Sequence, residues 1–272
     1  ITRDGNLLVP HKVGPDGWFD YQPLTPSILS HLWHASMEAA DWERIERLRE
    51  GTTLFDWDHV LNDIGHANEH RFNEPPHLSY LGGTNPDWPE KILHAEGDMV
   101  RRNVDRIRSG TYEEGSQTTL SQSPVLTNGL AQMTMGAPYT CFNGGLLCAA
   151  VRYFDTDRAR PGLPPDVSAL VEKIHAETTV VHLVNLSASE TRNLIVQAGA
   201  HGEHDFTEVT FLQQAGDGAT ESTLAVNEKF IAVELPPGTS IEMNIGTRCF
   251  VNRPTYDFPW STGQRITAES TR

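Results

Sequence analysis

Near Gly145 the apolar pattern changes period, and that change limits the possible folds more than any other feature of the chain. Before it, apolar residues recur every three to four positions, as one face of a helix requires; after it, they alternate in short β-branched runs. Thr25-Pro26 reads as an N-cap followed by proline at the first helical position, ahead of Ile28, Leu29, Leu32, Ala35 and Ala39. Asp41 opens a second helix carrying Trp42, Ile45 and Leu48, and Gly51 ends it. A third is expected from about Asp56 to Phe72. Asp87, read as an N-cap, starts a fourth, with Ile92, Leu93, Val100, Val104 and Ile107 as its apolar face and Gly110 as its stop. A fifth is expected from Pro124 to just before Gly136.

After Gly145 the candidate strands are 146–154, 179–186, 193–197, 207–212, 222–226, 230–234, 240–245 and 248–251. Asp217-Gly218 and Pro236-Pro237-Gly238 supply turn signals between them. The segment 158–173 reads as a linker and a short helix. Helices first and strands afterwards predict an α+β fold. The expected form is a helical bundle or partial α/α toroid over 1–144, then an antiparallel β-sandwich over 145–272.

Charge narrows the partners. With 36 acidic against 21 basic side chains the formal net charge is -15, so no cationic field exists to hold nucleic acid or an anionic membrane. No apolar run reaches the roughly 18 residues of a membrane span, which predicts a soluble protein, cytoplasmic or secreted. Three cysteines, Cys141, Cys148 and Cys249, are too few for a disulfide scaffold, and each is expected to be buried. Gly82-Gly83 and Gly144-Gly145 lack the spacing that cradles phosphate, so no nucleotide is expected, nor any other cofactor. The chain opens on ITRDGNLLVP with neither Met nor a leader. It reads as a processed protein or the back half of a longer one, in which an upstream segment or a partner chain completes the helical domain.

Three clusters combine aromatics with acids: Trp18-Phe19-Asp20-Tyr21-Gln22, placed in a loop before a helix; Phe55-Asp56-Trp57-Asp58-His59; and Tyr80, Asn85, Asp87 and Trp88. Sugars stack their apolar faces on such rings while acids and amides take the hydroxyls. The stretch 74–89 (EPPHLSYLGGTNPDWP) is unusually long for a loop without a task. Glu74 stands at its head, fixed by two prolines, as a general acid or base would be. Asp20, Asp56 and Glu74 are therefore the candidate catalytic residues, and Trp18, Tyr21, Trp57, Tyr80 and Trp88 the candidate sugar contacts, all expected on one rim. The bland alternative makes Asp20, Asp56 and Asp87 helix caps and the aromatics core.

The order of parts resembles the C-terminal region of toroidal carbohydrate-active enzymes, glycoside hydrolases and polysaccharide lyases among them. AVELPPGTSIEMNIGTRCFVNRP is similar to the closing strands of their β domains, and TVVHLVNLSASETRNLIVQAG looks like part of the same kind of sandwich. YLGGTNPDWPEKIL, RYFDTDRARPGLPPDV and VNRPTYDFPW are similar to segments of bacterial proteins without an assigned function. The resemblance implies a glycan or another sugar-containing molecule as ligand, bound either by an enzyme or by a non-catalytic module; it assigns no site residue. Separately, His66-Ala67-Asn68-Glu69-His70 has the H-x-x-E-H form of inverted zinc peptidases. That leaves a metal-dependent hydrolase as a further alternative. The downstream Glu ligand those enzymes use has no counterpart near Leu147, so no metal is expected at His66 and His70.

Overall fold

The computed structural model describes residues 2–3, 6–61, 73–111, 123–139, 148–215 and 218–262. Among these it has five α-helices and three antiparallel sheets, an α+β fold. Contacts divide the chain into two units, Ile1–Gly129 with Pro138–Gly145, and Leu130–Ala137 with Leu146–Arg272.

The first unit does not begin with a helix. β1 (Thr2–Arg3), β2 (Asn6–Gly14) and β3 (Gly17–Pro23) form a sheet in that order. β2 and β3 pair from Leu8↔Pro23 to Gly14↔Gly17. This corrects the wholly helical reading of 1–144 and the loop expected at 18–22. The cause is legible after the fact: Pro15 presets the first turn position, Asp16 follows, and Gly17 takes φ 103, closing a tight hairpin.

α1 (Pro26–Ser36) starts at Pro26 as expected and ends where Met37 turns left-handed, its N–H donating to the Trp33 carbonyl. α1 buries Leu29, Ser30, Trp33 and His34, and α2 (Ala39–Gly51) buries Ile45 and Leu48. Trp33 and Trp42 meet between them with ring centroids 4.7 Å apart. Residues 56–61 are not helical: the Asp56 carboxylate takes the N–H groups of Asp58 and His59, a local turn that competes with helix formation. α3 (Glu74–Leu81) occupies what was read as loop. Prolines in the first helical turn forfeit no intrahelical hydrogen bond, so Glu74-Pro75-Pro76 is a helix start. α4 (Trp88–Ser109) ends at Gly110, whose φ is 69. It buries Trp88, Ile92, Ala95, Glu96, Met99 and Asn103 and leaves Leu93 and Ile107 exposed. Its buried face is thus rotated from the one the apolar residues suggested, with two polar side chains inside. α5 (Asn128–Met135) begins four residues after Pro124.

The second unit holds two antiparallel sheets. β4 (Val151–Asp155), β5 (Arg160–Pro161), β8 (Arg192–Ala198) and β11 (Phe230–Leu235) form one, in the order β11-β8-β4-β5. β6 (Val167–Ile174), β7 (Thr178–Asn185), β9 (Asp205–Ala215), β10 (Gly218–Glu228) and β12 (Ser240–Arg248) form the other, in the order β10-β9-β12-β7-β6. β7 buries Thr179, Val181, Leu183 and Asn185 in strict alternation. β5 and β6 replace the expected linker and helix, because VSALVEKI buries Val167, Ala169 and Val171 with period two, not 3.6. No separate strand forms at 248–251: Arg248 is the last residue of β12, and Phe250 turns with φ 55. Cys148 and Cys249 are half-buried and lie outside the strands. Cys141 lies outside the described residues. His201-Gly202-Glu203-His204 is a turn whose Glu203 carboxylate accepts the N–H groups of Ala200 (3.1 Å) and His201 (2.6 Å). No described helix is long and apolar enough to cross a membrane.

Candidate functional site

The eight residues expected on one rim lie in three different environments of the first unit. Glu74, Tyr80 and Trp88 belong to its core. Glu74, fully buried at the start of α3, accepts the Tyr139 N–H at 2.7 Å on one oxygen and the Ser30 hydroxyl on the other. On α1, His34 Nδ1 donates to the Ser30 carbonyl at 2.8 Å. Its buried Nε2 has no hydrogen-bond partner among the described residues. Burial, against the help of the Ser30 carbonyl, pushes the His34 pKa down to about 4. His77 is held well below its ordinary value by burial and then by His34. Its ring lies 4.6 Å from that of Trp88, and Tyr80 lies 5.3 Å from Trp88 on centroids. Trp88 is 0% exposed, so no sugar can stack on it in this conformation. Trp57 is also buried, with the Arg49 guanidinium 5.9 Å above its ring.

Trp18, Asp20 and Tyr21 do come together, on the exposed β2–β3 hairpin. Trp18 is 64% exposed, Phe19 49% and Tyr21 38%. Between them Asp20 has φ 55, a left-handed conformation inside a strand that a non-glycine residue holds only at a cost. Its carboxylate takes Lys12 Nζ at 2.9 Å, His11 Nδ1 at 3.5 Å and Gln22 Nε2 at 3.3 Å. The Lys12 hydrogen bond chiefly holds the Asp20 pKa below its ordinary value. The carboxylate is therefore ionised and serves as an acceptor.

The third environment is a cleft that the sequence reading did not anticipate. About 520 Å3 in volume, it is lined by His59, Val60, Asp87, Glu90, Lys91, His94, Ala95 and Asp98. One wall is the irregular segment after Asp56. The other is α4, whose positions 87, 91, 94 and 98 recur at helical spacing on one side. Asn85 ties the walls: its Nδ2 donates to the carbonyls of Asp58 and Pro76, both at 3.3 Å, and its Oδ1 accepts Lys91 Nζ at 3.2 Å. Asp87 holds the N-cap position of α4 but makes no side-chain capping bond, so its carboxylate is left for the cleft. His94 faces Glu90 at 3.7 Å. Asp56 stands behind the wall, bonded to His59. The polar stripe at 87, 90, 91, 94 and 98 marks this side of α4 in the sequence, beside the apolar positions of the same helix.

His66 and His70 lie outside the described residues. Among the described residues, no group of three or more His, Cys, Asp or Glu side chains is arranged to hold a metal ion. Residues 2–131 match a family described as a domain of unknown function (DUF8034). The match covers the first sheet and α1 to α4 and assigns no chemistry. No curated protein matches the chain.

Proposed function

We propose that the chain is part of a carbohydrate-active enzyme, a glycoside hydrolase or lyase, whose helical unit takes a glycan in the acidic cleft. In this reading the helices are part of an α/α toroid, and the two sheets of the second unit form a β-sandwich. The observation that carries it is the cleft: Asp87, Glu90 and Asp98 line a space of about 520 Å3 with two imidazoles. Carboxylates accept sugar hydroxyls, and a pair of them can share acid and base roles at a glycosidic bond. A phosphorylated ligand would meet repulsion from the three carboxylates and from the net charge of -15. Glu74, sealed in the core, and Asp20 and Asp98, tied to Lys12 and Arg101, suit proton transfer less well than Glu90. The test is release of reducing ends from a panel of polysaccharides. Glu90→Gln should cost about 100-fold or more in turnover with the fold intact, and Asp98→Asn should weaken binding of the glycan more than turnover. A native rate in Glu90→Gln would remove the cleft from the chemistry.

A second reading rests on a different observation, the exposed Trp18, Phe19 and Tyr21 around Asp20. Rings presented in this way fit a non-catalytic glycan-binding surface. Glycan retention without cleavage by the native protein, lost in Trp18→Ala, would favour it.

A further inference from the structure

We infer that His59 is the proton-transfer residue of the acidic cleft and that Asp56 is the residue that positions it. This rests on the reading of the cleft as a glycan site. Asp56 Oδ1 accepts the backbone N–H of Asp58 at 3.0 Å and of His59 at 2.9 Å, and both Asp56 oxygens lie 3.1 Å from His59 Nδ1. An ionised carboxylate only accepts, so the proton of a neutral His59 ring sits on Nδ1 and the lone pair on Nε2. His59 lines the same cleft as Glu90 and Asp98. Its backbone is fixed on both sides: Asp58 by Asn85, and Leu61 by Asn73, whose amide accepts the Leu61 N–H at 2.9 Å and donates to the Leu61 carbonyl at 3.3 Å. An imidazole oriented by a carboxylate and lining a cavity is the arrangement general-base catalysis uses.

Asp56 cannot take the base role itself. Partial burial raises its pKa, but the hydrogen bonds from the His59 and Asp58 N–H groups and the His59 ring outweigh that and hold it below its ordinary value. Its Oδ1 takes both backbone N–H groups, and both its oxygens lie against the His59 ring. It is a positioning residue, which revises the catalytic role expected for it.

The step balances as a hydrolysis. Nε2 of His59 takes a proton from a water whose oxygen bonds to the anomeric carbon. The glycosidic C–O bond breaks, and the departing oxygen takes a proton from the Glu90 carboxyl. A hemiacetal and an alcohol leave. The imidazolium then returns its proton through solvent to the carboxylate.

The experiment uses the full chain and a panel of 4-nitrophenyl glycosides, followed by the one cleaved fastest. His59→Ala should lower kcat about 100-fold or more with KM within about threefold, and added imidazole should restore at least about tenfold of that. Asp56→Asn should lower kcat by about 10–100-fold and shift the acid limb of the pH profile, and Asp56→Glu should recover part of the loss. Nitrogen NMR should show His59 protonated on Nδ1 in the native chain and redistributed toward Nε2 in Asp56→Asn. If the native chain cleaves a glycoside and His59→Ala keeps its rate, His59 is not the base, although the glycan reading stands. If His59→Ala fails and imidazole does not rescue it, the loss is structural and the inference falls. If the native chain cleaves no glycoside, the reading of the cleft and this inference fall together.

Discussion

Glu74 and Asp20 are each a carboxylate among aromatic rings in the same unit, yet they do opposite physical work. Glu74 is buried on the helix that also carries His77 and Tyr80, and satisfies a hydroxyl and a backbone N–H that would otherwise be stranded in the core. Asp20 stands on a hairpin among exposed rings, in a strained backbone conformation, bonded to side chains that water could serve equally well. The difference shows what an aromatic-plus-acid cluster means: inside, the acid completes packing; outside, it stays available to a ligand. Four substitutions sharpen or break that contrast.

The largest effect belongs to Glu74→Ala. It leaves the Ser30 hydroxyl and the Tyr139 N–H without their acceptor, and each such buried loss costs about 1–3 kcal/mol. We expect the helical unit to lose about 3 kcal/mol or more, measured by urea unfolding with tryptophan fluorescence. A loss below about 1 kcal/mol would mean that Glu74 is not structural.

Acid comes next. The unfolded chain protonates His34 near 6.5, the folded chain only at about 4, and His77 is shifted in the same direction. The unfolded state therefore takes up protons first. Stability is full above pH 6.5 and falls as the pH drops from 6.5 through 4. At about 1.4 kcal/mol per pKa unit, His34 alone accounts for a loss of about 3 kcal/mol by pH 4. Urea midpoints across that window should fall more steeply for the native chain than for His34→Gln. Equal slopes would show that His34 is not buried as described.

The second unit was the more legible in sequence. Its strands alternate with period two, as in β7, so the pattern, the turns and the burial agree. Its one large misreading, 158–173, came from weighting the prolines above the alternation of β6. In the first unit the helices α1, α2 and α4 announced themselves through caps and apolar spacing. The hairpin did not, because Pro10 and the short runs flanking Pro15-Asp16-Gly17 mask its alternation. α3 was hidden by prolines that permit a helix start as readily as a loop. The cleft went unseen for a different reason. It is assembled from one side of α4 and a segment nearly thirty residues earlier, held together by Asn85; the stripe on α4 is a local pattern, but the wall opposite it is brought there only by folding.

Asp20→Gly tests the strain on the hairpin. Glycine takes φ near 55 freely, whereas aspartate pays for it. The exposed Lys12 contact that would be lost is worth little. We expect a gain of about 0.5–1 kcal/mol, and a loss of similar size would show that the contacts to Lys12, His11 and Gln22 outweigh the backbone.

The smallest effect on stability, and the one that decides between the two exposed sites, is Trp18→Ala. The ring is 64% exposed, so its removal should change stability by less than about 0.5 kcal/mol. Any glycan that stacks on it should nonetheless be lost, since stacking on a ring of this size contributes about 1 kcal/mol or more beyond area burial. Affinity electrophoresis in gels cast with soluble polysaccharides reads this directly. Retardation of the native chain that disappears in Trp18→Ala but survives in Glu90→Gln would put recognition on the hairpin. The reverse pattern would put it in the cleft and leave Trp18, Phe19 and Tyr21 as rings that no sugar uses. Loss in both variants would mean that one chain of sugars reaches both sites. The unchanged unfolding midpoint of Trp18→Ala is what makes each outcome a statement about binding, not folding.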